Sequence, residues 1–135
     1  MNECVFCRIA RGEERSEIIW ADDQVIALMD ICPIRPGHTQ IIPHEHFPYF
    51  EDLPAAIASR IIHLGQRFSR AMKALYGVPR VAFTGSDHAH AHAHVVPLHE
   101  KTDITSLRYI TGEVARAPSE ELAAAAAQLR SGLNR

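Results

Sequence analysis

Histidines recur at every second position in one stretch of this chain, and no other feature constrains the fold as strongly. Between residues 87 and 97 they alternate with alanines and are followed by two valines and a proline; the histidines are His88, His90, His92 and His94. In a β-strand, side chains two residues apart point to the same face, so this spacing predicts a strand with its imidazoles in one row. Such a row can bind metal, exchange protons or attack an electrophile. A histidine-rich surface tract is the less specific alternative.

Composition limits the classes of function that the chain can have. Its 135 residues are 47% hydrophobic and 22% charged, which suits one soluble globular domain spanning residues 1–135. The formal net charge of -2 argues against extended nucleic-acid binding. We see no secretory signal and no apolar run near the roughly 20 residues that span a membrane. Three cysteines, an odd number, favour a reducing compartment, and we expect a cytoplasmic protein.

Short apolar runs separated by turn signals predict an α+β domain. Strands are expected at residues 18–20, 25–29, 38–43 and 80–84, with the histidine stretch as the fifth. The first two runs lie close enough to form a hairpin. Strands that follow one another in this way, with one long helix and shorter flanking helices, predict a five-stranded antiparallel sheet.

Three helices are predicted around this sheet. Between residues 54 and 76 the apolar side chains recur every three or four positions, which predicts a long helix whose buried stripe contains Ile57, Ile61, Leu64, Phe68, Met72 and Leu75. A short helix is expected from Cys4 until Gly12 stops it. The last helix should begin at Ser119 and contains an alanine run with little to bury. We therefore expect the tail 98–135 to end in a peripheral helix, which could pack against a second subunit.

Two cysteines near the N-terminus form a metal-binding pattern. Cys4 and Cys7 are separated by two residues, a spacing that lets both thiolates bind one tetrahedral zinc ion. Two further ligands must come from elsewhere in the chain, and a pair of small buried thiols is the alternative. Cys32 has no partner in the pattern and is interpreted as core filler.

The histidine stretch also resembles a known signature. His90, His92 and His94, followed by two valines, match the H-x-H-x-H-apolar-apolar pattern of the histidine-triad (HIT) proteins. The register that starts at His88 fits less well, because it places Ala93 and His94 where two apolar residues belong. Further matches lie at residues 4–9, 29–31 and 36–43 and at His46. The resemblance implies a five-stranded antiparallel sheet with two helices, a homodimer, and a small-molecule nucleotide, with a purine base, as the ligand.

The same resemblance implies roles for individual residues. It identifies His92 as the nucleophile that attacks the α-phosphorus of a nucleotide and forms a nucleotidyl-histidine intermediate. His94 corresponds to a phosphate ligand and proton donor, and His38 to a supporting histidine of the same pocket. Asp30 corresponds to the carboxylate that binds the ribose hydroxyls. This chemistry is sound, since a neutral imidazole is a competent nucleophile when its other nitrogen donates a hydrogen bond.

The segment before the triad departs from the pattern of many relatives. They hold the phosphate with a glycine–glutamine pair and a serine, whereas here Gly85 is kept and Ser86, Asp87 and His88 follow. Gly85 and Ser86 are the candidate phosphate-binding residues. The carboxylate of Asp87 would repel a phosphate, so it is expected to face away unless the leaving group differs.

Metal-carrying relatives imply a complete ligand set. By that resemblance Cys4, Cys7, His46 and His90 would bind one structural zinc ion, which leaves no open position for water. The metal would tie the N-terminus to the sheet and withdraw His90 from acid–base chemistry.

These observations favour an enzyme, a hydrolase or nucleotidyl transferase acting on a purine nucleotide ester or phosphoramidate. One alternative is a non-catalytic, zinc-stabilised nucleotide-binding or interaction module. A weaker alternative is a metalloenzyme in which the row of histidines supplies open metal ligands.

Overall fold

The computed structural model describes residues 4–85, 90–105 and 114–133. Within these residues the helices are α1 (Val5–Ala10), α2 (Ala55–Tyr76) and α3 (Ser119–Leu133). The strands are β1 (Ile18–Ala21), β2 (Val25–Met29), β3 (Thr39–Pro43), β4 (Arg80–Thr84) and β5 (Ala93–Leu98). They form one sheet in the order β1-β2-β3-β5-β4, and each neighbouring pair is antiparallel. The predicted α+β fold with a five-stranded antiparallel sheet is confirmed.

Both faces of the sheet are covered near its centre. Every residue of β2 is buried, as expected for a continuous apolar run with neighbours on both sides. Ala27 and Ile41 belong to the core that α2 and α3 form with one face. The alternate residue Leu28 packs with Phe6 of α1 on the other face. No helix in the described ranges combines the length and apolarity needed to cross a lipid bilayer.

The prediction that the histidines stand in one row along a strand is wrong. The strand begins only at Ala93, so His90 and His92 precede it. The backbone there pairs with a loop, because the Ala91 N–H donates to the Phe47 carbonyl oxygen at 2.7 Å. Departure from the sheet ladder lets successive histidines take different neighbours. The position of His88 lies outside the described residues.

The C-terminal helix is part of the core and not peripheral, contrary to the prediction. Its buried residues are Leu122, Ala125, Ala126, Leu129 and Leu133. Small side chains let α3 approach α2 closely: a Cβ added at Gly132 would lie 3.3 Å from the Ala71 Cβ. The alanine run therefore has a helix to pack against, which periodicity alone did not reveal. Leu75, predicted to be buried, is 38% exposed, and Tyr76 packs against the core instead.

α3 also contacts the edge of the sheet. Arg130 donates from Nε and Nη2 to the Ile18 carbonyl oxygen at 3.0 and 2.8 Å. Ile18 opens β1, which is an outermost strand. The helix thus binds the sheet through a backbone group as well as through apolar contacts.

The core role of α3 can be tested by truncating Leu129, which is fully buried. We expect Leu129→Ala to lower the free energy of unfolding by about 2–5 kcal/mol, through lost apolar contact and the cavity that remains. Gln128→Ala, at the exposed neighbouring position, is the matched control and should change it little. Urea denaturation measures both variants. If both variants lowered the free energy of unfolding equally, the helix would be peripheral.

Candidate active site

Three predicted site residues meet on the sheet face opposite α2 and α3. Ala93 and Val95 point into the core beneath those helices, so His94 between them points the other way. Asp30 directly follows β2, and His38 directly precedes β3. Because one short connector joins these strands, both side chains emerge at the same end of the sheet. All three site residues are buried.

Hydrogen bonds link His38, His94 and His92 and indicate which ring nitrogens carry protons. The Ile34 N–H donates to His38 Nδ1 at 3.0 Å, so the His38 proton is on Nε2. His38 Nε2 lies 2.9 Å from His94 Nδ1, and His94 Nε2 lies 3.1 Å from His92 Nε2. Because His38 Nε2 donates, His94 Nδ1 must accept. Neutral His94 therefore carries its proton on Nε2 and donates it toward His92.

The last hydrogen bond of this series of imidazoles goes to the backbone. His92 Nδ1 lies 2.7 Å from the His90 carbonyl oxygen, which can only accept, so Nδ1 is the donor. The lone pair of the neutral ring is then on Nε2, the atom beside His94. A nucleophilic imidazole requires this tautomer. The geometry therefore prepares His92 Nε2 to attack an electrophile placed next to the His94 proton.

The carboxylate of Asp30 supplies negative charge beside the imidazoles. Its Oδ1 accepts the Cys32 N–H at 2.8 Å, and its Oδ2 accepts the Gln40 amide at 2.7 Å. Oδ2 also lies 3.4 Å from His38 Nε2 and 3.8 Å from His94 Nδ1. An ionised carboxylate offers about four lone-pair positions, so Asp30 can accept further hydrogen bonds from a ligand.

An ion pair fixes the connector between Asp30 and His38. Arg35 donates from Nε and Nη2 to Asp103 Oδ1 at 3.0 and 2.9 Å. The N–H groups of residues 99 and 100 donate to Asp103 Oδ2 at 2.9 and 3.0 Å. Burial raises the pKa of Asp103, but Arg35 and these N–H groups outweigh it and hold the pKa below its usual value. The pair ties the connector to the segment that follows β5.

A second cluster of polar side chains lies beside the first. Its members are Cys4, Cys7, His46 and His90, whose candidate ligand atoms all lie within 4.8 Å of one another. His90 Nδ1 lies 3.3 Å from Cys4 Sγ and 3.6 Å from Cys7 Sγ. His46 Nδ1 lies 3.2 Å from Cys7 Sγ and 3.2 Å from His90 Nδ1. The fold therefore brings together all four residues of the predicted zinc site.

The spacing of these atoms fits a tetrahedral zinc ion. Bonds of about 2.3 Å to sulfur and 2.0–2.1 Å to nitrogen place the ligand atoms about 3.3–3.8 Å apart. Four of the six separations are 3.2–3.6 Å, within about 0.1 Å of this range, and all six are below 4.8 Å. His90 Nε2 lies 3.0 Å from the Pro43 carbonyl oxygen, which must accept its proton and leaves the lone pair on Nδ1. Two sulfurs and two imidazoles are typical of closed structural sites.

The two clusters share one short segment. The His90 ring belongs to the metal-type cluster, while its carbonyl oxygen accepts the His92 proton. Phe6 packs edge-on against both rings, with centroid distances of 5.4 Å to His90 and 5.2 Å to His92. Displacement of His90 would thus move the group that sets the His92 tautomer.

The predicted phosphate-binding residues lie at the edge of the described structure. Gly85 is exposed directly after β4, one residue beyond Thr84, which pairs with His94. Among the described residues, a Cβ at Gly85 would meet no atom within 4 Å. Ser86 lies outside the described residues.

Sequence reasoning missed two residues of this site. Gln40 lies two positions after His38, so the two-residue period of a strand could have placed it on the same face. Arg35 had no comparable signal, because its partner Asp103 is 68 residues away in the chain. Such a pairing depends on the complete fold.

Known proteins match both the sequence and the fold. Residues 11–101 match the family model described as the HIT domain. A HIT-like protein of Borreliella burgdorferi is 32% identical over 106 residues, which cover 72% of this chain and 76% of that protein. The adenylylsulfatase HINT3 of Arabidopsis thaliana is 31% identical over 107 residues, which cover 74% of this chain and 54% of that protein.

A solved structure extends the similarity to nearly the whole chain. A zinc-bound histidine triad family protein from Mycobacterium smegmatis superimposes with a TM-score of 0.78 and 27% identity. The match covers 97% of this chain and 93% of that protein. The similarity therefore includes the segments on either side of residues 11–101.

The ion pair at the connector gives a pH-dependent prediction. Because the folded-state pKa of Asp103 is lowered, the pair stabilises the fold above the ordinary carboxyl pKa and loses this effect as the pH falls through the lowered value. We expect Asp103→Asn to lower the free energy of unfolding at pH 7 by about 1–3 kcal/mol, since Arg35 loses its charged partner. The difference in free energy of unfolding between Asp103→Asn and the unmodified protein should become smaller at acidic pH. Denaturation across pH measures it, with the exposed Asp52→Asn as control; a pH-independent difference would contradict it.

Proposed function

This chain belongs to the HIT domain family, and from that premise we propose that it is a nucleotide-binding hydrolase or nucleotidyl transferase in which His92 is the nucleophile. The observation that carries the proposal is the hydrogen bond from His92 Nδ1–H to the His90 carbonyl oxygen at 2.7 Å. It puts the lone pair on Nε2, 3.1 Å from His94 Nε2. The substrate is a purine nucleoside monophosphate ester, anhydride or phosphoramidate.

The reaction has two steps. In the first, His92 Nε2 attacks the α-phosphorus; the N–P bond forms, and the bond from phosphorus to the leaving group breaks with its electron pair going to that group. In the second, water attacks phosphorus, and the N–P bond breaks back to His92. The product is a nucleoside monophosphate. An acceptor other than water in the second step would make the protein a nucleotidyl transferase.

Proton transfer falls to His94 and its neighbours. Asp30 Oδ2 lies near both His38 Nε2 and His94 Nδ1, so its charge stabilises an added proton on this pair of imidazoles. From that state His94 Nε2 donates a proton to the leaving group, and it recovers one from the attacking water. A sulfate or phosphate departs without this help, whereas an amine must be protonated as it leaves.

The residues around His92 provide apolar and polar groups suited to a nucleotide. Phe6 packs against the His92 ring and belongs to a buried apolar cluster with Ile9 and Leu28. A flat base can stack or pack against such a surface next to the reacting phosphate. Asp30 retains acceptor positions for ribose hydroxyls, and charge-assisted hydrogen bonds of this kind are strong.

The adenylylsulfatase among the relatives widens the range of substrates to test. Its name describes a protein that acts on an adenylyl sulfate, and this chain spans about half of its length. We include adenosine phosphosulfate with an adenosine phosphoramidate and a dinucleoside polyphosphate. Each compound presents an α-phosphorus with a different leaving group to the same pocket.

We further propose that zinc occupies the cluster of Cys4, Cys7, His46 and His90. When bound, the ion supplies structural cross-linking and no reacting atom, because four protein ligands fill its coordination. A His90 ring fixed in this way holds its own residue in place, and the carbonyl oxygen of His90 in turn orients the His92 ring. The zinc-bound protein from Mycobacterium smegmatis supports this assignment.

Substitution of the nucleophile tests the proposed reaction. We expect His92→Ala to lower kcat by about 10³-fold or more on every compound that the unmodified protein hydrolyses, because the variant lacks the nitrogen that would form the N–P bond. His63→Ala, at an exposed position of α2, is the matched control. Release of the nucleoside monophosphate, followed by chromatography, and trapping of the nucleotidyl-protein by mass spectrometry are the readouts. Equal turnover by His92→Ala would exclude His92 as nucleophile, and tight binding without turnover of any compound would favour a non-catalytic module.

Metal content tests the zinc proposal separately from activity. We expect about one zinc per chain by elemental analysis, and far less in Cys4→Ser or Cys7→Ser, whose hydroxyl groups are poor zinc ligands. Both variants should also have a lower Tm. Cys32→Ser is the control, because Cys32 does not belong to the cluster. Full zinc content in the Cys4→Ser and Cys7→Ser double variant would place the metal elsewhere.

A further inference from the structure

Gln40 is a half-buried polar residue on a strand whose other residues are all buried, and its amide donates to Asp30. It lies on β3, where it pairs with Leu28 of β2 on one side and His94 of β5 on the other. Its Nε2 donates to Asp30 Oδ2 at 2.7 Å, which is shorter than the distances from that oxygen to His38 Nε2 and His94 Nδ1. Gln40 therefore lies on the strand between β2 and β5 and contacts the same carboxylate oxygen that the histidines approach.

Without this amide, the carboxylate would have other donors to turn to. Asp30 Oδ2 lies 3.4 Å from His38 Nε2, which carries a proton, and 3.8 Å from His94 Nδ1, which becomes a donor when that ring is protonated. Imidazole N–H groups, especially when protonated, attract a carboxylate more strongly than a neutral amide does. A small rotation of Asp30 would bring it into direct contact with either ring. The Gln40 hydrogen bond opposes that rotation.

The stability of the fold does not account for a glutamine at this position. The Gln40 Oε1 atom is buried and has no hydrogen-bond partner among the described protein groups. A buried acceptor without a partner destabilises the folded state. Its neighbours on the strand, Ile41 and Ile42, are fully buried and apolar. An apolar side chain of similar length would remove the unsatisfied oxygen, so the benefit of the amide must lie in its contact with Asp30.

We propose that Gln40 is a positioning residue that sets the preference for ribonucleotides by holding the Asp30 carboxylate in place for the sugar. Asp30 accepts one protein hydrogen bond at each oxygen, which leaves about one lone-pair position on each. Two neighbouring acceptors match the two hydroxyls of a ribose. This inference rests on the proposed function and assigns the selection of the sugar to a residue that does not react.

The test compares sugars on Gln40→Met, which keeps the length of the side chain and removes the amide. With an adenosine phosphoramidate, we expect KM to rise about tenfold, because the carboxylate no longer faces the sugar. Any change in kcat should be the same for ribose and deoxyribose substrates, because the rings that Asp30 then approaches act at the phosphate. With the 2′-deoxy and 3′-deoxy analogues, which lack one hydroxyl each, Gln40→Met should raise KM several times less. Urea denaturation should show a protein at least as stable as the unmodified one.

Two further variants separate positioning from a general disturbance. In an Asp30→Asn background, Gln40→Met should add little to KM, because the group it positions is already altered. Ile42→Leu, on the same strand and face, is the matched control and should leave the ratio of ribose to deoxyribose KM unchanged.

The outcomes distinguish this inference from the proposed function. If the unmodified protein hydrolyses the phosphoramidate but Gln40→Met raises all KM values equally, or none, the inference is overturned and the proposed function stands. Additive effects of Gln40→Met and Asp30→Asn would also overturn it. If the unmodified protein neither binds nor hydrolyses any of the adenosine compounds, the proposed function fails, and the inference fails with it.

Discussion

The hydrogen bond between the His92 ring and the His90 carbonyl oxygen is the contact on which the candidate active site depends. It is 2.7 Å long, buried, and formed within a segment that has just left the sheet ladder. Its direction fixes the tautomer of His92, and the bond from the Ile34 N–H fixes that of His38 at the other end of the chain of imidazoles. Two backbone groups thereby determine where the protons of three side chains lie. Such control needs no charged residue.

The break in the strand explains how one motif serves two purposes. A continuous strand would have directed alternate histidines to one surface. Because the backbone at Ala91 pairs with the loop residue Phe47, His90 instead joins the cluster with the two N-terminal cysteines. His94 remains on the strand and faces His38. The metal-type cluster thus braces the residue immediately before the nucleophile and supplies none of the reacting atoms.

Local patterns in the sequence predicted most of the sheet and the long helix. The strands near Val25 and Arg80 and the stripe of α2 follow the two periods that backbone geometry imposes. The resemblance to HIT proteins is confirmed by the family match, and this resemblance predicted the residues of both clusters. The roles of His92, His94, His38 and Asp30 stay predictions, although the fold does bring these side chains together.

The features that escaped prediction depend on contacts between distant parts of the chain. The alanine run gave little sign of a buried face, so the burial of Ala126 became apparent only with α3 packed into the core beside α2. The start of β5 depends on the loop carbonyl of Phe47, which accepts the Ala91 N–H and lies more than 40 residues earlier in the chain. The pairing of Arg35 with Asp103 is a third case. Composition and spacing carry no information about which distant groups will meet.

The contact of Arg130 with the first strand makes the two borders of the sheet unequal. A border strand ordinarily offers unpaired carbonyl and amide groups to any extended peptide that approaches. At Ile18 the guanidinium already occupies one such carbonyl, so an incoming chain would have to displace a charged group before it could add to β1. The C-terminal helix therefore hinders the addition of a further strand at that end of β1, a consequence independent of any nucleotide chemistry.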